Sequence, residues 1–127
     1  MKKLLIPLLA AALLTGCMTG DAQPENTYQM ITPQEAKEIM DTRTGYVILD
    51  VRTQSEYDEK HIPGAILIPN TEIEGRAEAE LPDKDQLILV YCRSGNRSKQ
   101  AAQILVELGY TNIVEFGGIN AWPYETE

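Results

Sequence analysis

The sequence predicts an α/β domain in which about five mostly parallel strands form one sheet with helices on both faces. Three observations carry that expectation. The strong apolar runs, residues 46–49 and 87–91, are apolar throughout instead of alternating, as strands buried on both faces are. Segments with helical spacing alternate with these runs along most of the chain. Residues that start and stop helices stand at the junctions between them.

Taken in order, residues 28–31 form a short strand-like entry. Thr32-Pro33-Gln34-Glu35 then starts a helix: Thr32 is the N-cap, Pro33 takes the first helical position and Glu35 closes a capping box. That helix runs to about Thr42 with Ala36, Ile39 and Met40 on its apolar face, and Gly45 ends it. Residues 46–49 make a buried strand ending at Asp50. Thr53-Gln54-Ser55-Glu56 repeats the capping box and opens a short helix to about Lys60. His61-Ile62-Pro63-Gly64 is a turn, residues 65–68 a third strand, and Pro69 its stop. Residues 71–80 are acidic and helical in composition, with Glu72, Glu74, Glu78 and Glu80 read as a solvated face. The run at 87–91 is the strongest buried strand. A helix from about Asn96 to Leu108 follows, with Ala101, Ile104, Leu105 and Leu108 on one face and Gly109 at the C′ position. Residues 113–116 form the last strand, and Gly117-Gly118 leads into a terminal turn or helix that contains Trp122.

With 127 residues the chain holds one domain, and 43% hydrophobic with 24% charged residues is ordinary globular composition. A net charge of −8 excludes a nucleic-acid partner, because no broad basic surface exists to neutralise phosphates. Membrane contact by charge alone is disfavoured for the same reason. The first residues supply another route. Met1-Lys2-Lys3 precedes an apolar run, residues 4–14, that has the layout of a secretory signal and is too short to span a bilayer comfortably. Leu14-Thr15-Gly16-Cys17 resembles the lipobox of bacterial lipoproteins. By that resemblance residues 1–16 are a signal peptide, Cys17 is acylated and becomes the mature N-terminus, and the protein sits outside the cytoplasm, lipid-anchored in the cell envelope. Several acyl chains on one cysteine hold stably where a single chain does not. Residues 17–27 are then a polar tether, and residues 28–127 the domain. Loss of the two lysines leaves the mature chain near −10.

There are two cysteines; with Cys17 lipidated, Cys92 is the single free thiol in an oxidising compartment. A buried cysteine can be a small hydrophobe, so its neighbours decide. Cys92-Arg93-Ser94-Gly95-Asn96-Arg97-Ser98 lies between a buried strand and a helix start, where ligands bind in open parallel sheets. A short loop with a glycine turns backbone N–H groups inward as an anion nest, and the helix adds its positive end. Arg93, Arg97 and Lys99 bring positive charge, and residues 86–106 contain no acid. Each of these features favours thiolate over thiol at Cys92.

Three motifs in order and in register are similar to the single-domain rhodaneses. They are Leu49-Asp50-Val51-Arg52 with Glu56-Tyr57 and His61-Ile62-Pro63-Gly64-Ala65, then the loop from Cys92 to Ser98, then Gly117-Gly118-Ile119-Asn120-Ala121-Trp122. The resemblance covers about residues 28–124 and implies a rhodanese-like sandwich. It also implies transfer of sulfane sulfur from thiosulfate or a persulfide donor to cyanide or a thiol through a Cys92 persulfide, with no metal or organic cofactor. By the same resemblance the backbone of residues 93–97 cradles the persulfide, and Arg93 and Arg97, with Ser94, Gly95, Asn96 and Ser98, form the site for a small anionic donor. A thiol redox partner protein would fit such a cycle. His61 belongs, by the same likeness, to a structural turn. Asp50 and Arg52 organise the strand end and pair with neighbours such as Glu56, and Trp122 packs.

Two other classes compete. Cysteine-dependent phosphatases and arsenate reductases use a similar loop, but phosphatases typically carry five residues between cysteine and arginine; here there are four. The shorter ring suits a sulfur atom better than a tetrahedral phosphate. A non-catalytic or redox-sensing module of the same fold is the other alternative; such modules commonly lose the cysteine, and this chain retains it.

Overall fold

The computed structural model describes residues 27–127. The signal segment 1–16, Cys17 and the tether up to residue 26 lie outside the described residues. Among the described residues five strands form one sheet: β1 (Gln29–Met30), β2 (Val47–Asp50), β3 (Ile66–Leu67), β4 (Ile88–Cys92) and β5 (Ile113–Gly118). Their spatial order is β1-β5-β4-β2-β3, and every pairing is parallel. Four α-helices connect them: α1 (Pro33–Thr42), α2 (Gln54–Glu59), α3 (Ile73–Glu80) and α4 (Asn96–Glu107).

Successive strand residues point to opposite faces, so a strand buried on both sides divides its side chains between two cores. Leu49, Val51, Ile88, Val90, Cys92 and Ile113 face α3 and α4 and pack with Ile73, Ala77, Ala101 and Leu105. Ile48, Leu89, Tyr91, Val114 and Phe116 face the other way, against Ala36, Ile39 and Met40 of α1, with Ile62 and Trp122. This two-sided burial explains the unbroken apolar runs.

The helix ends follow local chemistry. Thr32 and Glu35 close the capping box of α1 reciprocally at 3.0 and 2.9 Å, and Thr53 and Glu56 do the same for α2 at 3.3 and 3.0 Å. At the end of α4, Gly109 takes φ +102°, with its N–H on the Val106 carbonyl and that of Tyr110 on Leu105, a Schellman motif. The segment expected as one helix over 71–80 is divided into a 3-10 turn, Asn70–Glu72, and α3.

Three expectations change in detail. The outer strands β1 and β3 are only two residues long, since each has one neighbour to pair with. The last strand continues past Phe116 through Gly117 and Gly118. Gly118 thereby lies opposite Cys92, beyond an irregularity between Val90 and Cys92, and gives Cys92 a pairing partner. Cys92 is therefore the last residue of β4 and not the first residue after it.

Asp50 and Arg52 also differ from expectation in their partners. Arg52 donates from Nε and Nη2 to the Asp50 carboxylate at 2.7–3.1 Å and from Nη2 to the Lys60 carbonyl, not to Glu56. Asp50 also accepts from the Tyr91 hydroxyl at 2.5 Å, and that hydroxyl accepts from the Ile62 N–H. Burial first, and then this bond to Asp50, push the Tyr91 pKa well up, so the hydroxyl stays a donor. A closed network buried between β2, β4 and the 61–64 turn thus fixes the end of β2.

Candidate active site

Cys92 ends β4 at the carboxyl edge of the sheet, where the chain leaves for α4. The turn is tight because Gly95 takes φ +112°, a conformation open to glycine without strain. With its amide turned inward, Gly95 donates N–H to Cys92 Sγ at 3.0 Å. Gly95 occupies the N-cap position of α4 without a side chain to cap it. The orphan N–H groups at that helix end are therefore left to the sulfur.

Cys92 itself is 1% exposed. Burial pushes its thiol pKa up; hydrogen bonds with the Ser98 side chain and from the amides of Ser98, Gly95 and Ser94 outweigh that, and the net direction is down. As a thiol, Cys92 donates to Ser98 Oγ at 3.4 Å, while Ser98 donates to the buried carboxylate of Glu115 on β5 at 2.5 Å. Glu115 also accepts the Gly117 N–H at 2.9 Å and lies 3.9 Å from Lys99.

Of the residues singled out from sequence, Cys92, Gly95 and Ser98 are buried together, and Arg97 is half-buried beside them. Arg93, Ser94 and Asn96 are exposed on the rim. The two arginines converge on one carboxylate. Glu56 Oε2 accepts from Arg93 Nε at 2.9 Å, and Glu56 takes both terminal nitrogens of Arg97 at 2.8 and 3.1 Å. The Arg97 bond, offset by burial and joined by bonds from Thr53 and Arg93, holds the Glu56 carboxyl far below the usual carboxylate range.

The uniformly positive surround expected of this loop is thus corrected. Two acids from distant parts of the chain, Glu56 and Glu115, pair with its cations. Neither stood out as a functional residue. In the sequence Glu56 is the closing residue of a capping box and part of the first rhodanese-like motif, with Arg52 as its expected partner and not Arg93 and Arg97. The signal for Glu115 was an acid inside the last apolar run, at a position with no solvent face. A small cleft of about 80 Å³, lined by Val51, Arg52, Thr53, Asn70 and Arg97 among others, opens next to the Arg97 side of this cluster.

His61 is directed elsewhere. Its ring stacks on Tyr57 at 3.8 Å, Nδ1 faces the Tyr57 carbonyl at 2.9 Å, and Nε2 lies 3.3 Å from Glu127. Its backbone exchanges two hydrogen bonds with Glu127. Trp122 packs on Phe116 and Tyr124.

Gly118 supports the loop from below. A Cβ there would stand 1.9 Å from the Arg93 carbonyl oxygen and 2.5 Å from Ser94 N, both backbone atoms that cannot rotate away. The next turn holds the same carbonyl, through Asn120 N–H at 3.1 Å. Gly118→Ala is expected to displace residues 93–95 and cut reaction at Cys92 about 100-fold, since a misplacement on the order of 1 Å has that effect. Rates of Cys92 alkylation measured beside the thermal midpoint will check this; an unchanged alkylation rate would refute it.

Comparison with known proteins places this geometry among relatives. The family model for the rhodanese-like domain matches residues 32–124. The thiosulfate sulfurtransferase PspE of Escherichia coli is 42% identical over 71 residues, covering 56% of this chain and 68% of that protein. The thiosulfate sulfurtransferase GlpE of Coxiella burnetii is 36% identical over 96 residues, covering 75% and 87%. Among solved structures, a rhodanese with anions from E. coli superposes with a TM-score of 0.61 at 36% identity, over 65% of this chain and 96% of that one.

Proposed function

The chain belongs to the rhodanese-like domain family, and from that premise we propose that it is a sulfurtransferase carrying sulfane sulfur as a persulfide on Cys92. The observation that carries the reading is the cup around Sγ, where the Gly95 N–H and the Ser98 side chain meet a buried sulfur at the open end of a parallel sheet. The Cys92 thiolate attacks the outer sulfur of thiosulfate. A sulfur–sulfur bond forms to Cys92 as the bond to the sulfonate sulfur breaks, and sulfite leaves with the electron pair. Cyanide or a thiolate then attacks the outer sulfur of the persulfide and takes it as thiocyanate or a new persulfide, which returns the Cys92 thiolate. The anionic persulfide is held by the same amides that favour the thiolate.

Intact-mass measurement tests this directly. One added sulfur atom is expected after thiosulfate, lost again on addition of cyanide. Absence of that mass in a folded protein, or efficient cleavage of aryl phosphates in its place, would sink the reading. The four-residue spacing between Cys92 and Arg97 argues against the phosphatase.

The proposal extends to a domain that works outside the cytoplasm on a lipid anchor at Cys17, with a thiol redox partner returning oxidised Cys92. The support is the Leu14-Thr15-Gly16-Cys17 motif and Cys92 as the one remaining thiol. Among the described residues no helix is long and apolar enough to cross a membrane. Expressed in a bacterium, the chain is expected to incorporate labelled fatty acid and to fractionate with membranes, and Cys17→Ser to incorporate no label. Absence of label from the unsubstituted chain, or equal label in the Cys17→Ser chain, would reject the anchor.

A further inference from the structure

We propose that Glu56 sets the charge of the sulfur donor, turning the site away from dianions and toward donors of lower charge, such as thiosulfonate monoanions and the persulfides of small thiols. The proposal builds on the reading of Cys92 as the sulfur carrier. Among the described residues, the charged groups paired around the loop are three cations, Arg93, Arg97 and Lys99, and two carboxylates, Glu56 and Glu115, while Arg52, which lines the same cleft as Arg97, is neutralised by Asp50. With Cys92 as thiolate, the formal charge of this cluster is zero. A thiosulfate dianion therefore approaches no net positive charge.

Glu56 is a fixed part of this balance. Its Oε1 accepts from Arg97, from Thr53 N–H and from Thr53 Oγ1, and its Oε2 from Arg93 and Arg97. The capping box of α2 holds the carboxylate at the start of that helix, so it has no free rotamer by which to leave when a donor arrives. The side chain is 12% exposed, which leaves little water to screen it. Its depressed pKa keeps it ionised across the neutral range. Two of the donor N–H groups that an anion would take from Arg97 are already occupied. Glu56 also aligns both guanidiniums, and a purely bracing role would make its loss harmful to every donor alike. A charge role makes the loss favourable in proportion to donor charge.

Glu56→Gln removes the charge while its amide oxygen still closes the capping box; its NH2 faces Arg93 and Arg97 as a donor and loosens both, so the two roles are separated by comparing donors of different charge in the same variant. Cyanide-dependent thiocyanate formation would be measured with thiosulfate, which releases sulfite, and with methanethiosulfonate, a monoanion that releases methanesulfinate. At low salt the substitution is expected to raise kcat/KM about ten-fold for thiosulfate and about three-fold for methanethiosulfonate, with the gap closing as salt is added. Equal changes for both donors, or a fall for both, would overturn the proposal. Wild-type protein that transfers sulfur from neither donor would defeat the sulfurtransferase reading instead. A second measurement is independent of turnover: sulfate should protect Cys92 from iodoacetamide at about ten-fold lower concentration in Glu56→Gln than in wild type. Equal protection in the two proteins would also overturn the role of Glu56.

Discussion

A chain carrying serine at position 92 is expected to gain no sulfur from thiosulfate and to release no thiocyanate, a fall of at least about four orders of magnitude. The effect is large because the cup amplifies a property that only sulfur has. The Gly95 N–H and the neighbouring backbone amides favour the ionised form of a thiol whose pKa already lies within reach. The same dipoles leave an alkoxide far out of reach at neutral pH. Serine also lacks the second-row atom that accepts a sulfur–sulfur bond. Because serine is smaller and forms the same local bonds, the domain is expected to stay folded, which a matching thermal midpoint will verify. In the unsubstituted chain, alkylation by iodoacetamide should titrate with a midpoint below the usual thiol value, since hydrogen bonds to the thiolate outweigh burial. A midpoint above that value would remove the amide cup from the mechanism, and appreciable turnover by Cys92→Ser would remove Cys92.

Asp50→Ala is expected to destabilise the domain by about 3–5 kcal/mol, the cost of leaving one partner of a buried ion pair uncompensated. Arg52 is 3% exposed and Asp50 fully buried. Without the carboxylate, the guanidinium keeps the Lys60 carbonyl, and the Tyr91 hydroxyl loses its acceptor. Against an ordinary total stability of about 5–15 kcal/mol this is a large fraction. Denaturant unfolding with an unchanged slope measures it. Combining Asp50→Ala with Arg52→Met should recover part of the loss, because the buried charge is removed with its partner. A loss under about 1 kcal/mol in the single variant would show that water reaches the pair. The contrast between these two substitutions separates chemistry from scaffold: Cys92→Ser is expected to spare folding and end transfer, whereas Asp50→Ala is expected to act on folding.

Much of the domain was legible in the residues because its determinants act over one helical turn or one strand. Both capping boxes, the Gly109 terminator and the apolar runs at 46–49 and 87–91 are short-range patterns, and the helices and central strands formed where those patterns stand. Strand ends were less legible. β5 outran its apolar run because Gly117 and Gly118 have no side chain by which hydropathy could mark them as paired. The charge of the site was misjudged for a related reason. Counting acids in residues 86–106 samples the chain, whereas a field depends on distance in space.

What the sequence by itself determined is the parallel α/β class, the position of Cys92 at a strand end and the tight glycine turn by which its loop enters a helix. Those follow from periodicity, from glycine and from the start of a helix, all local. Only the tertiary structure decided which groups meet that loop. The strand order β1-β5-β4-β2-β3 puts β4 between β2 and β5, so Glu56, just after β2, and Glu115, on β5, reach the loop from opposite sides. Gly118 comes against Arg93 by the same arrangement. Nothing within a turn of Cys92 encodes these neighbours, because separations of 37 residues for Glu56 to Arg93 and 17 for Ser98 to Glu115 are closed by sheet topology and not by local preference.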